Sequence, residues 1–277
     1  MTISSRNRLL IASAGATVPI FVALMAAFME VFSAGRSTLA GAAVRFAVVA
    51  ALPGGLVIPP SASAVVLSIP VSVLYATLTI GAMLYFFEKT QAPEILFFAF
   101  FALSMAAEAL RCSVPLALVR EWPPAIADVA SRGITFGRLY GSLALFAASV
   151  YANGIEFQKH GRVLIIIGIA ALAVATGLPI DGQTYDTSFM PTSGYRSMMT
   201  TAEASIAVIS VASFLVAGYT RSSREYSLVA VGVSLVFLGR ELLVKGDSWV
   251  TMPAGIALLA AGTWITAAQT HRYYMWL

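Results

Sequence analysis

Six charged residues set in otherwise apolar sequence carry the chemistry this chain could do: Glu108, Arg111, Arg138, Glu203, Arg240 and Glu241. A guanidinium is a planar fork of donors that grips carboxylate or phosphate oxygens two at a time. Three such forks at one depth, oriented by glutamates, make a ligand-binding pocket for a small anion. The same groups would also serve as an interhelical ion-pair network, because with Glu30 the layer holds four glutamates against three arginines. A charge at the centre of a spanning helix costs about 2.5–3.5 kcal/mol, so such residues face the bundle interior and pair. Glu108 and Arg111 are three apart, and Glu241 and Lys245 four apart, spacings that put each pair on one helix face. Arg138 and Arg240 have no comparable neighbour and must find partners on another helix, in a loop or on a ligand.

Arg138 sits beside a stripe of small residues. Gly133, Gly137 and Gly141, continued by Ala144 and Ala148, recur every three or four positions. That spacing makes one smooth face on which a second helix can approach closely. These three glycines are therefore expected to pack helices and to hold Arg138 at a fixed depth.

The elements that must position these groups follow from composition. Hydrophobic residues make up 59% of the 277 and charged ones 11%, and the mean hydropathy is +0.85. A soluble domain of this length has no use for so much apolar surface. Crossing about 30 Å of hydrocarbon takes roughly 20 largely apolar residues. Such runs recur at 9–32, 65–87, 94–112, 133–153, 163–178, 201–219, 226–244 and 251–270. The chain thus reads as an all-α membrane protein, one polytopic domain of eight transmembrane helices. The first run follows Arg6 and Arg8 like a signal peptide, but it is too long for the usual apolar core of one and is read as a retained helix.

The interval 33–64 is apolar yet broken by Arg36, Arg45, Pro53-Gly54-Gly55 and Pro59-Pro60. Unpaired backbone is not tolerated in lipid, so this interval reads as an outer segment, short strands or a re-entrant piece; Ala42–Ala51 and Val65–Val73 tolerate β structure. Lysine and arginine test the arrangement. The proposed inner connections hold eight in 34 residues and the outer ones six in 82, which puts both termini in the cytoplasm. A ninth span at 39–60 would spoil that asymmetry. Two outer connections are long: one carries a candidate surface helix around Asp128, and 179–200 is polar enough to be a lid or docking loop.

The formal charge of +4 is scattered over helix ends rather than gathered on one face, so nucleic acid is excluded as a partner. Phosphate-loop, zinc-protease, nucleophile-elbow and Cys-x-x-Cys signatures are absent, and Cys112 is the single cysteine. The expectation is therefore no catalytic residue, no metal and no cofactor. The functional reading is a multi-pass binding or sensing module with an outward-facing Arg/Glu pocket. It would act in the plasma (inner) membrane with a membrane protein partner or as a homo-oligomer. A secondary transporter or channel for a small anionic solute is the alternative. An integral membrane enzyme acting on lipid headgroups ranks third, because pairing with arginine weakens a glutamate as a base near neutral pH.

Overall fold

Long apolar runs become helices because a helix satisfies its own backbone, the one requirement hydrocarbon imposes on any open segment. In the computed structural model, residues 3–33, 50–51, 57–58, 61–87, 92–113, 116, 120, 123–154, 160–186, 188–189, 191–245 and 248–275 are described. The helices are α1 (Ile3–Ser33), α2 (Ala62–Phe87), α3 (Pro93–Ser104), α4 (Pro124–Ala152), α5 (His160–Gly177), α6 (Arg196–Thr220), α7 (Arg224–Lys245) and α8 (Thr251–Met275). Among the described residues, eight segments are long and apolar enough to cross a membrane. The third of them combines α3 with 3-10 turns over Met105–Cys112. Two antiparallel strand pairs complete the described elements: β1 (Ala50–Ala51) with β2 (Val57–Ile58), and β3 (Ile180–Tyr185) with β4 (Pro191–Ser193).

Three expectations change. Val65–Val73 lies inside α2 and forms no strand; Val65, Val66, Ile69 and Val73 are buried against neighbouring helices, and tertiary packing overrides their local preference. The candidate surface helix around Asp128 is the opening of α4, which starts directly after Pro123 with proline at its first position. The polar connection 179–200 is largely the β3–β4 hairpin plus the first turn of α6. Most of 33–64, with Arg36, Arg45 and Pro53–Gly55, lies outside the described residues, as do Trp122 and Trp276.

Successive helices alternate in direction, and side-chain contacts fix their ends. Arg6 at the start of α1 donates to the Phe87 carbonyl that closes α2. The Phe87 ring meets His271 near the end of α8. Glu94 at the start of α3 accepts from Tyr226 at the start of α7 and Tyr274 at the end of α8. The start of α1 and the end of α8 thus share one end of the bundle. The β3–β4 hairpin and the 3-10 turns share the other.

Small residues set the closest approaches. On α7 and α8, Gly232 and Gly239 face Gly262 and Gly255 in an antiparallel pair. A Cβ added at Gly239 would lie 2.5 Å from the Leu259 nitrogen, and one added at Gly255 would lie 2.6 Å from the Leu243 nitrogen. Here backbone meets backbone, and dispersion over the whole length of the pair stabilises it without help from water. The α4 stripe packs on side chains at the end of α3 and on the 3-10 turns: Gly133 faces Leu110, Gly137 faces Ala107, and Gly141 faces Ser104. Between these seams, Phe97, Phe98, Phe101, Val233 and Val236 fill one buried cluster.

Because backbone atoms cannot give way, Gly239→Ala is expected to lower stability by about 1–3 kcal/mol. Gly81→Ala, where nothing lies within 4 Å, should be neutral or slightly stabilising. Thermal unfolding of both variants in detergent checks the contrast.

Candidate functional site

The site is built around the Glu108 carboxylate. Arg138 of α4 grips it with two parallel bonds, Nε to Oε1 at 2.8 Å and Nη2 to Oε2 at 3.0 Å. Arg111 approaches the second oxygen at 3.5 Å. Both Glu108 and Arg111 lie on the 3-10 turns, where residues three apart eclipse one another, so the pair stacks along one edge. An eight-residue 3-10 stretch is long for this geometry; here it brings two charges into register on the face that meets α4. Arg111 is 0% exposed and Glu108 2%, while Arg138 retains 12%.

Arg111 has further partners that carry no charge. Its Nε and Nη2 donate to the Ser188 carbonyl at 3.0 and 2.6 Å, and Nη1 reaches Ser68 Oγ on α2 at 3.4 Å. Ser188 belongs to the turn between β3 and β4, so this guanidinium ties the hairpin to the membrane helices. The hairpin is also held by Asp186, paired with Arg196 at the start of α6.

Arg240 of α7 completes the layer differently. It donates to Ser142 Oγ at 2.6 Å and to the Arg138 carbonyl at 3.0 Å, and it stands 3.9 Å from Glu203 of α6. Ser142 Oγ donates to the same Arg138 carbonyl at 3.1 Å, so the α4 backbone at Arg138 is gripped from α7 while its side chain is gripped from the 3-10 turns. Glu203 and Glu241 both act electrostatically on Arg138. Five of the six residues singled out from the sequence therefore meet in one layer that joins the 3-10 turns, α4, α6 and α7, and the sixth, Glu241, lies within electrostatic reach of Arg138. Glu30 does not join them; it forms a two-bond pair with Arg120, 2.6 Å at each contact. The side chain of Lys245 falls outside the described residues.

The neutral partners Ser68, Ser142 and Ser188 carried no sequence signal, since a serine in an apolar helix ordinarily bonds back to its own turn. A second polar cluster, at the other end of the bundle, was also missed. Glu94 is buried and accepts from Tyr226 at 2.9 Å and from Tyr274 at 2.9 and 3.2 Å. Arg221 lies over the Tyr226 ring at 5.1 Å and donates to Tyr273 at 2.9 Å. The available signal was a glutamate directly after a proline at a helix start, together with tyrosines at two other helix ends. Both histidines sit at that end, His160 beside Tyr151 and His271 on Phe87. Among the described residues no three His, Cys, Asp or Glu side chains gather to hold a metal ion.

No family model matches the chain. A protein of Treponema pallidum (strain Nichols), described as "Uncharacterized protein", is 23% identical in an alignment 266 positions long that covers 78% of this chain and 77% of that protein.

Two guanidinium groups depend on one carboxylate, so Glu108→Gln should be the most damaging single change in the layer. Removing one member of a buried pair costs about 3–5 kcal/mol, and here the loss strands Arg111 and Arg138 together. Arg138→Met is expected to cost less, because Glu108 retains Arg111. Unfolding midpoints of the two variants in detergent check the ranking.

Proposed function

We propose that this chain is a multi-pass membrane binding and sensing module, in which a small anionic solute is received by Arg138 and Arg111 beneath the β3–β4 hairpin. The observation that carries this reading is the composition of Arg111's shell. Two of its donors are spent on a neutral backbone carbonyl, Ser188. An anionic oxygen binds a guanidinium more strongly than a peptide carbonyl does, so an entering anion would displace the hairpin turn. Arg138, the least buried of the three arginines, is the point of entry. Its backbone, fixed by Ser142 and Arg240, keeps the fork in place while the hairpin responds.

In this reading the hairpin and the start of α6, joined through Asp186 and Arg196, form the moving part that a membrane protein partner or a second copy reads. The reading places the chain in the plasma (inner) membrane, and lysine and arginine density supports both termini being cytoplasmic. The shared position of the first and last helix ends, beside Arg6 and Arg221, is consistent with that orientation.

Thermal shift of the purified protein against inorganic phosphate, sulfate and short mono- and dicarboxylates tests the reading. At least one anion should raise the melting temperature saturably, by about 2–4 °C for each kcal/mol of binding. Arg138→Lys, which keeps the charge but loses the fork, should weaken that binding at least tenfold. No shift with any anion, or an undiminished shift in Arg138→Lys, would sink the proposal.

A further inference from the structure

Away from the charged layer, α2 and α8 run side by side and leave a trough of about 600 Å³ between them, with Leu243 of α7 behind it. It extends along each helix for sixteen residue steps, Val71 to Phe87 and Ile256 to Arg272. At 1.5 Å per residue that is about 24 Å, more than half of a hydrocarbon core roughly 30 Å thick. Its rim is open to the side, since Leu78, Phe86 and Trp264 stay more than half exposed.

The lining sorts by depth. Charge is confined to one end, where His271 and Arg272 close the trough. Arg6 adds a second guanidinium there through its bond to the Phe87 carbonyl. Glu225, held by Ser223, is a carboxylate that acts electrostatically on Arg272, and Arg224 offsets it. Along the rest of the trough the polar side chains are Tyr75, Thr79 and Thr263. They bond to one another, Tyr75 to Thr263 at 2.7 Å and also to Thr79.

We infer that this trough binds an anionic phospholipid, one acyl chain lying between α2 and α8 and the phosphate meeting Arg272 and His271. An apolar guest with one anionic end matches the apolar wall and the basic end, and the length fits a chain that descends from a headgroup. A partner helix, about 10 Å wide, fits less well: the lining includes alanines, but Leu78, Phe86 and Trp264 at the rim obstruct the close backbone approach that helix pairing uses. The site is independent of the arginine layer.

Native mass spectrometry of the full chain tests the assignment. Delipidated protein is titrated with phosphatidylglycerol and with phosphatidylcholine of the same acyl chains. One phosphatidylglycerol per chain should bind, at least tenfold more tightly than phosphatidylcholine. Arg272→Gln, at an exposed position, should remove that preference and leave phosphatidylcholine binding unchanged. Ala268→Trp should fill the trough and lose both lipids; Ala260→Leu serves where the tryptophan variant does not stay monodisperse. Arg138→Lys should bind lipid as the wild type does, which separates this site from the anion site. Equal binding of the two lipids, or a preference that survives Arg272→Gln, would overturn the assignment. So would a chain dimer that lipid does not displace and that Ala268→Trp abolishes, since the occupant would then be a second copy.

Discussion

The rest of the bundle depends on a carboxylate held away from water by two cations. Glu108 cannot be solvated where it lies, and neither can Arg111. Desolvation of charges on this scale is offset only when geometry is close and the remaining donors are satisfied. That requirement reaches outward through each guanidinium. Arg138 brings in α4, whose carbonyl then anchors Arg240 and α7. Arg111 brings in Ser68 from α2 and the hairpin through Ser188. Five separate segments are thereby fixed in register by one acid, a specificity that apolar packing alone, with its tolerance of sliding, does not supply.

Close backbone contact makes that geometry reachable. Arg138 follows directly on Gly137, which lets α4 settle against Ala107, one residue before Glu108. A bulkier stripe would hold the helices apart and lengthen the paired bonds. On α7, Arg240 also follows a seam glycine, Gly239, but that glycine meets α8, whereas the partners of Arg240 are on α4 and α6. At the far end, the Glu94 carboxyl accepts hydrogen bonds from two tyrosines, with Arg221 acting on it electrostatically and not through a direct bond, so the two ends of the bundle solve the same problem with different chemistry.

Part of this was legible one residue at a time. The Gly133–Gly141 stripe stood out because its period falls within one helix. The α7–α8 seam was overlooked because its glycines are seven apart on each helix, two turns rather than one; the matching spacing of Gly232 with Gly239 and of Gly255 with Gly262, on helices joined by a short connection, was the signal to use. The 3-10 turns gave no sequence cue, and their register of Glu108 with Arg111 resembles the helical one closely enough to hide the difference.

What the sequence by itself determined is the number and rough extent of the apolar helices, because length and hydropathy answer to the dimensions of hydrocarbon without reference to any partner. It also marked which charges would need company, since a lone charge in such a run is costly wherever it points. Which groups answer them was decided only by the tertiary structure. Arg138 meets an acid thirty residues earlier in the chain, Arg240 meets a hydroxyl and a carbonyl, and Glu94 meets phenols from two other helices. Pairing across helices depends on rotation and depth, which are properties of the packed bundle and not of any single segment.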